Sequence, residues 1–374
     1  MAAPAATVEP QDTAHNRYGC KGCGADLEYA PGTFSMKCPY CGNETEIPME
    51  AREPPKEHSI GELDKLPPMV TSLGTSKKTI SCRQCGATSQ IPADKVSTSC
   101  TFCGSTVIVP QEATRNLLKP EGIVPFSLDK TAAHQKFVAW ISKGFFRPKA
   151  LKKSASLDNL RNTYVPYFTY DAQAHSVWRG ESGTYYYTTE SYTVTVNGRP
   201  EHRTRQVRHV RWTWKSGTHD QFYDDELICA SKGLAGGLVE KVEPFNTKSP
   251  APYAEQMLAG SEAEEYSLDP KDGWRQAAQK MLSNERAACS KLLDGDTQRN
   301  LHVSTNLSGV TFKHLLLPIY IASYQYGGKS WRFMVNGQTG EVVGDRPVDW
   351  TKVLLVVGGI FAAVILIAKL AGAF

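Results

Sequence analysis

No established catalytic motif occurs in this chain of 374 residues. The HExxH helix of zinc proteases and the GxSxG turn of serine hydrolases are both absent, and the nine histidines are scattered. Gly328-Lys329-Ser330 resembles the end of a phosphate loop, but the Walker pattern needs a glycine at position 323, where the chain has Ser323. We therefore predict that the protein is not an enzyme.

A strong net charge and an export signal are also missing. Lys and Arg exceed Asp and Glu by only four (42 against 38), so composition alone does not indicate a nucleic-acid-binding protein. The first residues, MAAPAATVEPQDTAHNRYG, contain no apolar core of the kind that secretory signal peptides have. We expect the body to lie in the cytosol, a reducing compartment in which cysteines stay available to bind metal.

Ten cysteines are present, and eight of them form one pattern that occurs twice. In each copy a CxxC pair is followed, after 14 residues, by a second CxxC pair. The two sets are Cys20, Cys23, Cys38 and Cys41, and Cys82, Cys85, Cys100 and Cys103. Because four thiolates on two short turns suit one tetrahedral Zn²⁺, the pattern predicts two zinc ribbons with one ion each. A disulfide framework is the alternative, but it is typical of exported proteins.

Each CxxC pair is followed directly by a glycine, at Gly24, Gly42, Gly86 and Gly104. Glycine can take a positive φ there and turn backbone N–H groups toward the sulfurs. Four cysteine ligands leave no coordination position for water, so the predicted zinc ions are structural. Function would then depend on the ribbon surfaces, where Lys21, Tyr40, Arg83 and Phe102 are the candidate contact residues at the tips.

The last part of the sequence is a long apolar run. Residues 353–368 read VLLVVGGIFAAVILIA without a charge, and Lys369 follows. A helix over 352–371 would be about 30 Å long, which matches the hydrocarbon core of a bilayer. Trp350 and Lys369 suit the two membrane interfaces. We expect a single-pass transmembrane helix that anchors a cytosolic N-terminal body to the cytoplasmic (inner) membrane; a buried helix of a soluble protein is the alternative.

The composition, 41% hydrophobic and 21% charged, is that of an ordinary globular protein. The predicted class is α+β and mostly β, with two small four-cysteine zinc ribbons, a β-rich body with a few helices, and a C-terminal transmembrane helix. The predicted divisions are a first ribbon at 16–48, a linker at 49–78, a second ribbon at 79–111, the body at 121–346 and the membrane helix at 352–371. A short echo between YVPYF at 164–168 and LLPIY at 316–320 leaves open that the body has two related halves.

Local signals place several elements in the body. A helix is predicted over 128–143, with Ser127 or Asp129 as its cap, and another over 270–293, capped by Asp269. The buried face of the second helix is expected to contain Trp274, Ala277, Met281, Ala288 and Leu292. Asn197-Gly198, between two alternating runs, predicts a β-hairpin. The acidic run at 224–226 is interpreted as a turn that leads into a strand.

The second strand of that hairpin is rich in arginine. Residues 199–215 contain five arginines and one lysine against a single glutamate. Strand alternation places five basic residues on one face: Arg203, Arg205, His209, Arg211 and Lys215. Such a face could contact phosphates, acidic lipid headgroups or an acidic protein. A solvated face paired with nearby acids is the alternative.

Several of these motifs together resemble a known family. They are the CxxC pairs, Val124-Pro-Phe, the YVPYF run at 164–168, Trp212 with Gly217, Leu317-Pro-Ile-Tyr, and VNGQTG at 335–340. The family is a group of bacterial membrane-associated proteins with N-terminal zinc ribbons, often labelled transcription-factor-IIB-type or "primosomal protein N′-like". The resemblance implies accessory work at the membrane with phage-shock-protein-A-like and stomatin/prohibitin/flotillin-type proteins of envelope-stress systems. A helicase role does not follow, because the chain has no motor motif.

The sequence therefore predicts a non-enzymatic, tail-anchored adaptor that recruits cytosolic partners to the cytoplasmic membrane. The alternative is a membrane-tethered nucleic-acid-binding protein that uses the ribbon tips and the basic strand. Co-purification in mild detergent separates the two, since protein partners resist nuclease and salt whereas nucleic acid does not.

Overall fold

The fold is taken from a computed structural model of the chain. The structure describes residues 18–49, 53–66, 68–69, 77–84, 87–92, 100, 102, 105, 108–111, 117–144, 160–232, 234, 238–326, 329–345 and 347–370. Cys85, Gly86, Cys103 and Gly104 lie outside these residues, so the geometry predicted for the second cysteine set is described only at Cys82 and Cys100.

Four α-helices occur in the described part of the chain: α1 Lys130–Ser142, α2 Val239–Val242, α3 Pro270–Leu292 and α4 Trp350–Leu370. Asp129 caps α1, accepting a hydrogen bond from Ala132 N at 2.7 Å. Asp269 caps α3 in the same way through Lys271 N at 2.8 Å, and Pro270 occupies the first helical turn. Both predicted body helices are therefore confirmed, with the start signals that the sequence indicated. Among the described residues, short 3₁₀ helices occur at Ile60–Lys65 and Glu255–Leu258.

Strands dominate the described residues, and most are short. In chain order they are β1 Glu28–Tyr29, β2 Ser35–Lys37, β3 Glu44–Glu46, β4 His58–Ser59, β5 Pro68–Met69, β6 Lys77–Cys82, β7 Thr88–Pro92, β8 Ile108–Gln111, β9 Leu117–Leu118, β10 Gly122–Ile123, β11 Arg161–Val196, β12 Arg199–Cys229, β13 Ala251–Pro252, β14 Glu262–Glu264, β15 Thr297–Tyr326, β16 Lys329–Asn336 and β17 Val342–Gly344. Twelve of them join one sheet, whereas β1, β2 and β3 form a separate small sheet.

Three long antiparallel strands form the centre of the large sheet, in the order β12-β11-β15. β11 has 36 residues, so at about 3.3 Å per residue it is roughly 115 Å long. β11 and β12 join at Asn197 and Gly198, whose φ values of 52° and 79° confirm the predicted hairpin turn. The two segments that echo each other in sequence lie side by side here, with Val165 opposite Leu317.

The acidic run at 224–226 is not a turn, and this corrects the sequence interpretation. β12 continues through it, and the pairing with β11 shifts between Tyr170 and Ala172. The extra residues on β12 form a β-bulge in which Asp225 takes a φ of 57°. The Asp225 N–H donates to Asp171 Oδ1 at 2.7 Å, so the side chain opposite the bulge stabilises it.

The helix α3 packs across all three long strands. Its buried face is Gly273, Ala277, Met281, Glu285 and Cys289, residues that recur every four positions along one side of the helix. The prediction for this face was right for Ala277 and Met281 but wrong for Leu292, which is 48% exposed. Glu285 is also buried on this face, which the sequence did not predict because charged residues are usually exposed.

Both cysteine-containing segments pack against the body. Cys20, Tyr29 and Met36 share an apolar cluster with Ile123 and Phe126 of the body. Cys82, Cys100 and Phe102 share another cluster with Val165 and Tyr167. Strand β7 also pairs with β14, which joins the second cysteine segment to the large sheet.

Residues between the two cysteine sets contact the body as well. β4 pairs with β15 at Thr311 and Phe312, and Glu57 forms an ion pair with Lys313 at 3.0 Å. Ile60, Leu63 and Leu66 pack on the apolar cluster beneath α3. The segment predicted as a linker therefore lies against the body where it is described, and we call this part the strap. The domain boundaries drawn from sequence remain predictions.

Candidate metal centre, basic ribbon and membrane helix

The first cysteine set forms a compact cluster. The sulfur atoms of Cys20, Cys23, Cys38 and Cys41 all lie within 4.8 Å of one another. The Sγ–Sγ distances are 3.4 Å from Cys20 to Cys41 and 3.5 Å from Cys23 to Cys38. Four thiolates bound tetrahedrally to Zn²⁺ at about 2.3 Å lie about 3.8 Å apart, so the donor set and its spacing fit such an ion. The cluster could hold a metal ion.

Two tight turns bring these sulfurs together. In each turn the first cysteine donates its N–H to a carbonyl five residues later, Cys20 to Ala25 at 2.7 Å and Cys38 to Asn43 at 2.9 Å. Gly24 and Gly42 take φ values of 77° and 75°, which confirms the predicted left-handed glycines at both positions. The N–H of Gly22 lies 3.4 Å from Cys20 Sγ.

The backbone around the cluster favours thiolates at two of its positions. The Gly22 N–H lowers the pKa of Cys20 to about 6, and the Cys41 N–H lowers the pKa of Cys38. At Cys41 the Asn43 N–H lowers the pKa, but the three neighbouring thiols together raise it to about 12. Four sulfurs at this separation cannot all ionise without a cation among them, since like charges repel at short range.

The second cysteine set repeats the turn geometry where it is described. Cys82 N donates to Ala87 O at 2.9 Å, and Cys100 N donates to Ser105 O at 2.7 Å. Both cysteines are buried. Because Cys85 and Cys103 lie outside the described residues, a second metal cluster stays a prediction.

The four residues predicted to contact partners at the ribbon tips divide into two groups. Tyr40 is 83% exposed, and Lys21 and Arg83 are also exposed. Phe102 is buried in the cluster that joins the second cysteine segment to the body, so it is not a surface contact.

The distal part of the β11–β12 hairpin is a two-stranded ribbon. The pairing of β15 with β11 stops where Thr297, the first residue of β15, lies opposite Gly183. Beyond this point β11 pairs only with β12 among the described strands. We call residues 184–196 with residues 199–211 the distal ribbon. It carries five arginines against Glu190 and Glu201, a net charge of +3 without the histidines.

The register places the predicted basic residues on one face of the hairpin. Arg203, Arg205, His209, Arg211 and Lys215 occupy alternate positions of β12 without an intervening bulge. The first four lie in the distal ribbon. Lys215 instead lies in the three-stranded part, where it forms an ion pair with Asp294 at the end of α3.

The arginines of the distal ribbon are held by contacts along and across its two strands. Arg205 forms an ion pair with Glu190 at 3.1 Å, and Arg203 forms one with Glu201 at 3.0 Å. Arg211 lies over the Tyr186 ring, 5.5 Å from its centroid. Exposed ion pairs and cation–π contacts of this kind are each worth only about 1 kcal/mol or less, so the guanidinium groups remain available to an anionic partner.

A buried polar cluster that sequence reasoning missed lies beneath α3. The Glu285 carboxylate accepts hydrogen bonds from Ser176 Oγ at 2.6 Å and Tyr223 Oη at 2.9 Å, and it lies 2.8 Å from His219 Nδ1. Burial raises the pKa of Glu285, but these three partners outweigh it and bring the pKa below its ordinary value. In the sequence, the only indication of this cluster is an acidic residue on the buried face of a helix together with hydroxyl residues in a facing strand.

One helix in the described chain is long and apolar enough to cross a membrane. It is α4, with a mean hydropathy of 2.5 over Trp350–Lys369, and none of this segment is buried against the body. Twenty helical residues span about 30 Å, the thickness of a hydrocarbon core.

Comparison with known proteins shows one distant relative. The chain is 26% identical over 375 residues to YdjG of Bacillus subtilis (strain 168), an uncharacterized protein. The similarity covers 95% of this chain and 98% of YdjG. No family model matches the chain, and no solved structure matches it. The similarity therefore extends over most of both chains, and the name of YdjG gives no activity.

Proposed function

We propose that this protein is a tail-anchored, non-enzymatic adaptor that uses a zinc-stabilised body to hold a basic ribbon at a distance from its membrane anchor. The ribbon would bind cytosolic partners with acidic surfaces. In the proposed topology α4 spans the cytoplasmic membrane once, and the rest of the chain lies in the cytosol.

The observation that carries this proposal is the separation of the basic ribbon from the start of the apolar helix. β17, at 342–344, pairs beside β16 at the level of Ala322, next to the first residue of β11. Only five residues separate Gly344 from Trp350. The ribbon turn at Asn197 lies at the other end of β11, roughly 115 Å along the strand. A membrane attachment point and a charged binding surface at opposite ends of one rigid element suit recruitment better than catalysis.

Zinc is the metal that the cysteine clusters suit best. Four thiolates with tetrahedral spacing favour Zn²⁺ and leave no position for a substrate or water. We propose one ion at Cys20, Cys23, Cys38 and Cys41. We propose a second at Cys82, Cys85, Cys100 and Cys103, supported by the repeated turn hydrogen bonds at Cys82 and Cys100. Each ion would stabilise a segment that packs directly on the body.

The partners we propose follow from charge and from the family resemblance. An arginine face on an exposed ribbon complements an acidic protein surface. Oligomeric membrane-stress proteins of the phage-shock-protein-A or stomatin/flotillin type are the candidates that the resemblance supplies. Such assemblies present many copies of one surface, which would strengthen binding by several ribbons at once.

Nucleic acid is the second candidate ligand. A two-stranded β-ribbon fits the major groove of B-DNA, and arginine is the side chain that most often contacts phosphates and guanine. All five arginines of the distal ribbon lie on β12 and none on β11, however, so only one strand could neutralise phosphates. We therefore rank an acidic protein surface first.

Purification of the tagged full-length chain from cells in mild detergent tests both candidates. The variant replaces Arg203, Arg205, Arg211 and Lys215 with Gln. The matched control replaces four exposed basic residues elsewhere, Lys65, Lys232, Lys248 and Arg286, with Gln, for the same change in net charge. An adaptor keeps a defined protein partner through nuclease treatment at physiological salt, loses it when the four basic residues are replaced and retains it in the control.

Nucleic-acid binding would give the opposite pattern. The wild-type chain would then carry nucleic acid that nuclease removes, and its affinity would fall with salt by about 0.9 log units per log unit for each phosphate contact. If the wild-type chain binds nucleic acid tightly at physiological salt and the four substitutions abolish that binding, the second candidate replaces the adaptor proposal.

A further inference from the structure

One edge of the distal ribbon has an abrupt change in pairing. Beside β11, the pairing of β15 stops at Thr297, opposite Gly183. Asp296 closes this end: its N–H donates to Gly183 O at 2.9 Å, and its Oδ2 accepts from Tyr185 N at 2.7 Å. Beyond Tyr185, no strand in the described part of the chain pairs with this edge of β11 over residues 186–196.

The contacts of Asp296 also show which backbone groups of β11 point outward. Gly183 and Tyr185 direct their hydrogen-bonding groups away from β12, and this direction alternates along an antiparallel strand. The outward groups beyond Asp296 are therefore those of the odd-numbered residues. They are Tyr187, Thr189, Ser191, Thr193 and Thr195.

The two edges of the distal ribbon differ in composition. The β12 edge carries five arginines and Pro200, and charge and proline are the features that protect an exposed edge from pairing with another strand. The β11 edge, residues 184–196, reads TYYYTTESYTVTV, with no Lys, Arg or Pro and a single charge at Glu190. Threonine, tyrosine and valine are strong strand formers. An unprotected edge of this length is a docking site for an added strand.

We propose that a second copy of this chain occupies this edge, with the two β11 strands antiparallel and related by a two-fold axis at Ser191. The four strands would run β12-β11-β11-β12 in one continuous sheet. This interface does not rest on the adaptor proposal, because it uses the edge of β11 and not the arginines of β12. With both α4 helices in one membrane, the joined hairpins would run along the membrane surface.

Charge and steric limits select this register. Outward-pointing residues pair with outward-pointing residues, so the two-fold axis can pass only through certain positions. An axis at Glu190 would place two glutamates directly opposite each other, which destabilises a strand pair. An axis closer to Gly183 would push the second strand into Asp296, and an axis closer to the turn would shorten the pairing. With the axis at Ser191, Tyr186 lies opposite Val196, just past Asp296, and Glu190 lies opposite Tyr192.

The same register is self-complementary along its whole length. Thr188 lies opposite Val194, and Thr189 lies opposite Thr193, which are favourable cross-strand pairs. The arginine-bearing β12 strands become the outer strands, about 14 Å apart, beyond the Debye length of about 8 Å. An acidic strand would gain little at this edge, since the only charged side chain of β11 there is Glu190, which would repel it. The antiparallel arrangement also places the two bodies at opposite ends, where they do not collide.

Cysteine crosslinking of the full-length chain in native membranes tests the register directly. The two Ser191 residues lie opposite each other on the axis, with their Cα atoms about 5.5 Å apart, within the range for a disulfide. Ser191→Cys should therefore crosslink to its own copy under mild oxidation. Thr189→Cys or Thr193→Cys alone should not, because each is displaced from its own copy by four residues, about 13 Å. Co-expressed, differently tagged Thr189→Cys and Thr193→Cys chains should crosslink to each other.

Proline variants supply the matched control. The Ser191 N–H points outward, so Ser191→Pro removes a donor from the proposed interface without removing one from the β11–β12 ladder. Thr204 lies directly opposite Ser191 on β12, and its N–H points to the other edge. Ser191→Pro should abolish crosslinking between the Thr189→Cys and Thr193→Cys chains, whereas Thr204→Pro should leave it unchanged.

Several results would overturn the proposed interface. For the single cysteine variants, they are equal crosslinking of all three, crosslinking of Ser191→Cys to a different protein, or no crosslinking above the wild-type background. For the proline variants, they are a crosslink between the Thr189→Cys and Thr193→Cys chains that persists with Ser191→Pro, or an equal loss of that crosslink with Ser191→Pro and Thr204→Pro. The last result would show that the ribbon as a whole, and not one edge of it, supports the contact.

Discussion

The backbone N–H of Tyr29 donates to the carbonyl of Ala259 at 3.0 Å, which joins the first cysteine segment to the body of the protein. The neighbouring Gly32 N–H donates to Phe126 O at 2.8 Å in the same interface. Cys20 and Cys38 are buried in the apolar cluster that spans this contact. A metal ion bound at these cysteines would therefore stabilise part of the body as well as the cysteine segment itself.

Metal content is the first prediction. The wild-type chain should contain two zinc ions, and Cys41→Ser should release one of them, measured by elemental analysis of the purified protein. Because the first cluster packs on the body, the same change should also lower the free energy of unfolding of the body by several kcal/mol. Cys229→Ser, outside both sets, should keep both ions. One zinc per wild-type chain would exclude an occupied second cluster.

The Glu285 cluster yields a prediction about pH. The pKa of Glu285 in the folded protein lies below its unfolded value of about 4.5, so its carboxylate contributes stability above that pH. This contribution is lost as the pH falls through the lower folded-state pKa. Denaturant unfolding of the wild-type chain should therefore show a drop in stability below about pH 4.5, and Glu285→Gln should flatten that drop.

Complete removal of the Glu285 carboxylate should have a larger effect. Glu285→Ala leaves Ser176, Tyr223 and His219 without their shared acceptor, which should cost about 3 kcal/mol or more at pH 7. Asn284→Ala, on the exposed side of the same helix, is the control and should change the free energy of unfolding by less than about 0.5 kcal/mol. Equal effects of the two substitutions would contradict a structural role for the cluster.

The apolar helix α4 yields a prediction about membrane attachment. Because none of the span Trp350–Lys369 is buried against the body, truncation after Thr351 should move the protein from the membrane fraction to the soluble fraction. Zinc content should stay at the wild-type level. Protease added outside intact spheroplasts should leave the full-length chain uncut. Cleavage of the N-terminal region by this protease would contradict the proposed topology.

Much of the fold could be predicted from local sequence signals. Asp129 and Asp269 mark the starts of α1 and α3 through short-range capping, and Asn197-Gly198 marks the hairpin through its positive φ values. The spacing of Cys20, Cys23, Cys38 and Cys41 predicted which sulfurs meet, because metal-binding turns are also short-range features. These elements depend on residues that are near each other in the chain.

The remaining features depend on contacts between distant residues. β15 begins at Thr297, far ahead of the apolar run near Leu315, because its polar first half is held by pairing with β11 and not by its own composition. Glu285 is buried because Ser176 and Tyr223 of two other strands donate to it. The strap near Glu57 is ordered by Lys313, which lies 256 positions later. No local pattern indicates such partners.

In-cell photo-crosslinking from the arginine-bearing strand tests the central claim most directly. A photoreactive residue at Val207, which lies between Arg205 and His209 on the same face of β12, should capture a protein other than a second copy of this chain. The adduct should resist nuclease and disappear when Arg203, Arg205, Arg211 and Lys215 are replaced with Gln. The same probe at Phe222, exposed in the three-stranded part, should not capture that protein. Capture of nucleic acid alone from Val207, or the same protein adduct from both positions, would contradict an adaptor that acts through its distal ribbon.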